Sequence, residues 1–264
     1  MRKGKRLFVR DFSAASLCFR LLSSLFIICL SIFSVIIAIF PVARYNKSIF
    51  FTDVKEMTKK ERALKCVEIL KTVYPDAVCS LDYENPFELL IATRLSAQCT
   101  DARVNLVTPE LFSKYRTPDD YANADVKDIE RIIHSCGFYH GKARDIIAIA
   151  TKIRDEFGGR VPDTIEDLTS LQGVGRKTAN LIIGDVYKKP AVVTDTHLIR
   201  ISNRIGLVDT KDPFKVETAL KKILPPEESN NFCHRIVLFG RDTCSARSPK
   251  CDGCPLGEVC RKIM

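Results

Sequence analysis

Strand signals are almost absent from this chain of 264 residues. Alternating apolar and polar residues never run beyond about four positions, and no Asn-Gly or Asp-Gly joins two apolar segments, which excludes a sheet built from hairpins. There is no internal repeat and no low-complexity tract, so a solenoid is excluded too. Positive charge is scarcer than the formal net charge of +9 suggests. Residues 1–56 hold nine Lys+Arg against three Asp+Glu, a net of +6, and the remaining 208 residues hold 32 against 29, a net of +3. Overall charge therefore makes no case for nucleic acid, and only local cationic sites can carry one. A paired disulfide framework is missing as well. The cysteines number 11, an odd count, and seven of them are scattered without regular spacing. That excludes a small secreted scaffold and points to a reducing compartment, the cytoplasm.

What is present is helical. Hydrophobic residues at 46 % and charged residues at 28 % suit a folded globular chain, long enough for one large or two modest domains. From Thr58, an apolar face of Ala63, Cys66, Val67, Ile69 and Leu70 predicts a helix closed by Tyr74-Pro75. Asn85-Pro86 opens PFELLIATRLSAQCTDARVN, read as one long helical stretch, with shorter helices expected at 110–115, 126–135 and 142–157. Gly158-Gly159 ends a helix, and Thr164 followed by Asp167 marks the next start. A further helix runs to Asp185, and after the extended Ala191-Val192-Val193 helix resumes at Asp195. The expected fold class from Met57 onward is all-α.

The first 56 residues stand apart. A basic stretch containing Arg2, Lys3, Lys5, Arg6, Arg10 and Arg20 precedes the uncharged run 21–43. A run of this length can span a bilayer core, which takes about 20 helical residues, and the basic flank would leave the N-terminus in the cytoplasm. A membrane anchor, a cleaved signal segment lacking a clean cleavage site, and an appended segment ahead of a working start at Met57 are the three readings. The last is favoured, because either membrane reading would export the cysteines described next.

Three constellations carry chemistry. The first is Leu171-Gln172-Gly173-Val174-Gly175-Arg176-Lys177-Thr178-Ala179-Asn180, a tight turn between two helices. Its glycines allow positive φ or a close approach to bare backbone. The free N–H groups of the following helix make an anion site, and here that site also presents Lys177. The second is the pair Lys177 and Asp195. An amine attacks only when uncharged, and a free lysine is protonated at neutral pH. A helix N-terminus, the adjacent Arg176 and partial desolvation would each favour the uncharged form, and Asp195 supplies a carboxylate for a cationic transition state. On residue types alone, a lysine at a helix start and an aspartate at a helix cap are ordinary. The third is Cys244, Cys251, Cys254 and Cys260, spaced C-x6-C-x2-C-x5-C. This fits the paired knuckles of structural zinc poorly and favours an iron–sulfur cluster, with zinc or unligated thiols as the alternatives. Arg247 and Lys250, between the first two cysteines, suit phosphate contacts or a solvated loop.

LQGVGRKTAN, then VVTDTHLIR, then GRDTCSARSPKCDGC resemble the endonuclease III family of DNA repair glycosylases. LLIATRLSAQCTD and GFYHGKARDII stand in the expected order, and the resemblance covers 57–264. It implies two helical lobes: a six-helix barrel-type domain with a helix-hairpin-helix over 80–190, and a helical domain over 57–79 plus 191–264 holding a 4Fe–4S cluster on the four cysteines. The N-terminal extension 1–56 has no counterpart in it. It also implies a bifunctional base-excision repair enzyme, a glycosidase and a lyase, acting on oxidised pyrimidines. Lys177 would attack the sugar C1′ and expel the base, and the resulting Schiff base would allow β-elimination at the abasic site. Asp195 would assist the attack. Gly173, Val174 and Gly175 would offer N–H groups to a phosphate. Gln98 would enter the duplex beside the flipped nucleotide, and Phe138 would be the wedge, where relatives often carry leucine. The implied partner is double-stranded DNA with damaged bases or abasic sites, bound by a nucleoid-associated monomer; membrane association would come only through residues 21–43. Gln172 departs from the family, which usually has proline there.

Two other readings compete. An adenine- or alkylbase-removing glycosylase shares the fold. The adenine branch lacks the lysine, however, and carries a catalytic glutamate on the helix before Gln98, a helix that here ends in Arg94-Leu95. A non-catalytic DNA-binding iron–sulfur module is the reading from a different class.

Overall fold

The computed structural model describes residues 57–263. The extension 1–56, with its apolar run 21–43, lies outside the described residues. Among the described residues no helix is long and apolar enough to cross a membrane.

Every regular element among those residues is helical. Helix α1 (Lys59–Val73) starts at a capping box. The Thr58 hydroxyl accepts the Glu61 N–H, and the Glu61 carboxylate accepts the Thr58 N–H. Next come α2 (Pro86–Leu95), capped by Asn85, and α3 (Asp101–Lys114), capped by Thr100. They are followed by α4 (Pro118–Ala122), α5 (Val126–Ile133), a 3-10 turn over His134–Cys136 and α6 (Tyr139–Glu156). Helices α7 (Ile165–Thr169) and α8 (Arg176–Asp185) flank the glycine turn. The chain ends through α9 (Thr196–Ile205), α10 (Pro213–Ile223) and α11 (Ser229–Asp242), then a helix-free segment carrying the four cysteines.

The expected long helix from Pro86 is in fact two. The chain leaves helical geometry after Leu95, Gln98 takes φ 54°, and the Thr100 side chain accepts the Arg103 N–H to begin α3. A cap and a left-handed residue outweigh the apolar pattern, which runs on unbroken. Helix α3 then includes 110–114 and tolerates Pro109 inside it. Helix α6 starts at Tyr139 rather than at Lys142, because Phe138 at φ 49° turns the chain into it.

Apolar side chains gather in two clusters. One draws on α2 to α8, with Leu90, Ile91, Leu95, Ile129, Ile146, Ile153 and Ile182 among its buried members. The other joins Ala63, Cys66 and Leu70 of α1 to Leu198, Ile201, Leu220, Phe232, Ile236 and Phe239 of α9 to α11. The chain therefore begins in the second cluster, crosses to the first and returns. Buried Arg62 fastens that return: Nε donates to the Val259 carbonyl at 3.0 Å and a terminal nitrogen to the Gly206 carbonyl at 3.3 Å. Gly240 of α11 lets α9 approach, since a Cβ there would stand 2.4 Å from His197 Nδ1.

Candidate functional site

A cavity of about 460 Å³ is lined from both clusters. Lys177 and Leu181 come from α8, Asp195 and His197 from the start of α9, and Ser96, Gln98 and Cys99 from the loop after α2. His234 and Arg241 of α11 complete the wall. The structure thus brings Lys177, Asp195 and Gln98 to one space.

Lys177 is in the first turn of α8, whose N-cap, Gly175, has no side-chain cap. The N–H groups of Gly173 and Gly175 have no partner among the described residues, so the helix end presents bare donors and its positive dipole outward. Val174 departs from expectation. Its N–H donates to the Leu171 carbonyl at 3.1 Å and its side chain is buried, so it anchors the turn and its N–H is committed within it. Gly173 is required for two reasons. It holds φ +69°, and a Cβ would stand 2.8 Å from Arg94 Nε and 2.9 Å from Asp145 Oδ2.

The surroundings of Lys177 differ from the sequence reading. Arg176 is no free cation. Its Nε and a terminal nitrogen bond both Glu217 oxygens, at 2.8 and 2.9 Å, and its guanidinium stacks 4.8 Å from the Phe214 ring centroid. Glu217, on α10, also receives Lys221 at 2.8 Å. Burial pushes this carboxyl up, but the Arg176 and Lys221 hydrogen bonds outweigh it and hold it below the usual range. The Lys177 side chain itself is exposed and makes no hydrogen bond or ion pair among the described residues.

Asp195 caps α9, with Oδ1 accepting the Leu198 N–H at 2.7 Å. That bond fixes the carboxylate's orientation and leaves its other oxygen without a hydrogen-bond partner among the described residues. His197, two residues on, lies on the cavity wall. Burial lowers its imidazole, opposed by Asp195 and reinforced by Arg200, Arg241 and Lys177, which favours the neutral ring. Asp101 and Arg241, also absent from the sequence reading, face each other at 3.6 Å and link α3 to α11. Their signal lies in the sequence, since Asp101 ends LLIATRLSAQCTD and Arg241 is the second residue of GRDTCSARSPKCDGC.

Gln98 and Phe138 both sit at positive φ, where a non-glycine residue costs on the order of 1–3 kcal/mol. Phe138 is 74 % exposed, next to Gly137 at φ 67°. It lies apart from the residues that line the Lys177 cavity.

Cys244, Cys251, Cys254 and Cys260 line a second, small cavity with Ile205, Phe239 and Leu256. No three His, Cys, Asp or Glu side chains among the described residues converge as they would on one ion. Thiolates on a four-iron cube stand further apart than those on one tetrahedral ion, so a cluster suits this set better than zinc does. Burial raises the Cys254 and Cys260 thiols, and the neighbouring cysteines raise them further. Four thiolates this close need a multiply charged cationic centre. Cys66, packed nearby, is outside the cavity lining, and burial pushes it up to about 12. Arg204 fastens the start of the loop, donating to the Ser245 carbonyl at 2.6 Å and the Ala246 carbonyl at 2.8 Å. Arg247 and Lys250 lie on it, exposed and without an ion pair among the described residues.

The HhH-GPD superfamily of base excision DNA repair proteins matches residues 91–226, and the iron-sulfur binding domain of endonuclease III matches 244–260, which begins and ends on a cysteine. Endonuclease III of Synechocystis sp. is 46 % identical over 207 residues, 78 % of this chain and 94 % of the relative. That of Bacillus subtilis is 42 % identical over 198 residues, 75 % of this chain and 90 % of the relative. A solved structure of a trapped endonuclease III–DNA covalent intermediate is similar with a TM-score of 0.73 and 45 % identity, covering 78 % of this chain and 97 % of its own. A thermostable thymine-DNA glycosylase at 21 % identity and TM-score 0.70, covering 76 % of this chain and 96 % of its own, shares the fold.

Proposed function

The chain belongs to the endonuclease III family, and on that premise we propose that Lys177 is its nucleophile, Asp195 its electrostatic partner and oxidised pyrimidines in double-stranded DNA its substrates. It is a DNA glycosylase and AP lyase of base excision repair and carries a 4Fe–4S cluster. The observation that carries the assignment is the convergence of Lys177, Asp195 and Gln98 on one cavity, beside an uncapped helix N-terminus.

The steps follow from those positions. A phosphate beside the lesion sits on the N–H groups of Gly173 and Gly175 and the first turn of α8. Gln98 fills the space left in the duplex and Phe138 wedges the stack, offsetting the few kcal/mol that unstacking costs. The Lys177 amine attacks C1′, the glycosidic bond breaks, and the base leaves with its electron pair and takes up a proton. Asp195, held by the Leu198 N–H, faces the positive charge that develops on the sugar. The nitrogen now on C1′ gives up a proton and its lone pair expels O4′, which takes a proton as the sugar ring opens, and the resulting iminium on Lys177 acidifies the C2′ proton. Loss of that proton expels the 3′ phosphate, and water releases the lysine.

When bound, the cluster supplies a covalent tie that closes residues 244–260 into a fixed loop. Cys244, Cys251, Cys254 and Cys260 would hold it, and Arg247 and Lys250 would meet phosphates from that loop. The two apolar clusters support a division into an 80–190 domain and a 57–79 plus 191–264 domain. One chain supplies every residue assigned, in keeping with a monomer. The free thiols among the described residues favour the reducing cytoplasm, and a DNA substrate favours association with the nucleoid.

Borohydride trapping on a thymine-glycol duplex tests the assignment. The wild type should give a covalent adduct, and Lys177→Gln should give none while binding persists through phosphate contacts. Because Lys177 is exposed and unpaired, its loss should change stability by less than about 0.5 kcal/mol. An adduct formed at full yield by Lys177→Gln would transfer the role to another amine.

A further inference from the structure

Lys142 is buried to 1 % exposure on α6, yet no step above uses it. Its Nζ donates to the Leu95 carbonyl at 2.7 Å and to the Cys136 carbonyl at 2.8 Å. Leu95 is the last residue of α2, and Cys136 is the last residue of the 3-10 turn. One ammonium group therefore closes two helical C-termini, whose final carbonyls lack intrahelical donors and carry the negative end of the dipole. The chain reaches Gln98 three residues past the first carbonyl and Phe138 two residues past the second. Both are non-glycine residues at positive φ. Left-handed geometry at such residues persists only where the surroundings fix it.

A second tie lies beside the first on the same two helices. Arg94, next to Leu95, donates through Nε to Asp145 Oδ2 at 2.8 Å, one turn beyond Lys142 on α6. Gly173 of the hairpin packs against that ion pair. The junction of α2 and α6 is thus the common base of the Gln98 loop, the Phe138 turn and the glycine hairpin. Arg94, Cys99 and Cys136 are the charged or titratable groups that face Lys142, and burial lowers its own amine.

We propose that Lys142 is a positioning residue for lesion opening, its amine holding the Gln98 loop and the Phe138 turn at a fixed separation so that both enter the duplex together. The proposal rests on the reading of Gln98 and Phe138 as the pair that enters DNA. Removing the amine frees two buried carbonyls and lets the loops move independently, while Lys177 and Asp195, on other elements, stay in place.

The test uses the full chain with its cluster, wild type and Lys142→Met. Base opening is followed by 2-aminopurine fluorescence next to a thymine glycol in duplex DNA. Schiff-base trapping on a single-stranded abasic oligonucleotide, which needs no wedge, is measured alongside. Lys142→Met should slow opening about tenfold or more, as expected for loss of two buried hydrogen bonds, and single-strand trapping should fall far less. Combined with Phe138→Ala and Gln98→Ala, it should add almost nothing to their effect on opening, because it acts through them. If Lys142→Met fails to fold, Lys142→Arg, which keeps donors but displaces them, should slow opening in the same selective way. Wild-type opening in either folded variant, a parallel loss of single-strand trapping, or full additivity would overturn the proposal. Should Phe138→Ala and Gln98→Ala themselves leave opening unchanged, the reading of the two loops falls, and the proposal with it.

Discussion

Replacing Glu217 with alanine removes the anion that fastens the start of the nucleophile helix to α10. The side chain is 2 % exposed and receives Arg176 through both oxygens and Lys221 through one. Breaking a fully buried ion pair typically costs about 3–5 kcal/mol, because a charge is left stranded. Here the stranded partners are 43 % and 38 % exposed and can regain water, so the cost falls to about 1–2 kcal/mol. For a folded region of this size, that lowers Tm by roughly 3–6 °C. The pH dependence adds a signature. The fold holds the Glu217 carboxyl below its ordinary value, so between the two values the unfolded chain binds the proton and the native chain does not. The stabilisation is complete above about pH 4.3 and is lost as pH falls through the folded value. Thermal melts of wild type and Glu217→Ala should therefore differ at pH 7 and converge in acid. A Tm difference that stays constant down to pH 3, or stays below about 1 °C at pH 7, would refute this account of the ion pair.

Two further sets of variants separate other roles. Gly173→Ala should destabilise the fold by about 2 kcal/mol, because it needs positive φ and meets the Arg94–Asp145 pair. Gly175→Ala, at φ -92° with open space around its Cβ, should cost at most about 1 kcal/mol as an N-cap change. It should nonetheless weaken DNA binding measured by anisotropy. Equal Tm losses for the two would contradict the geometry of the hairpin. Cys254→Ser should abolish the cluster's visible absorbance and loosen 244–260 to proteolysis, whereas Cys66→Ser should leave the absorbance intact. The reverse pattern would reassign the ligands.

What was legible in the sequence was chemistry that is local along the chain. The glycine turn, the lysine after it, the Asp195 cap and the cysteine spacing are each set by neighbours a few residues apart. The break between α2 and α3 was hidden, because the apolar pattern continues across Gln98 while the backbone does not. Lys142, Glu217 and Asp145 were hidden for another reason. Each is an ordinary helix-surface residue by composition, and its meaning lies in a partner 47, 41 or 51 positions away.

The same long-range pairing explains why overall charge said so little. Arg94 and Arg176 are paired with carboxylates, Arg62, Arg200 and Arg204 are bound to carbonyls, and Lys142 sits between two helix ends. These cations hold the scaffold together and have no charge to spare for a phosphate. Lys177, Arg247 and Lys250 are exposed and have no ion pair among the described residues; Arg247 and Lys250 stand between the first two cysteines and Lys177 lines the cavity. A body with a net charge near +3 can therefore still bind DNA, because the placement of individual cations and not their sum decides the contact.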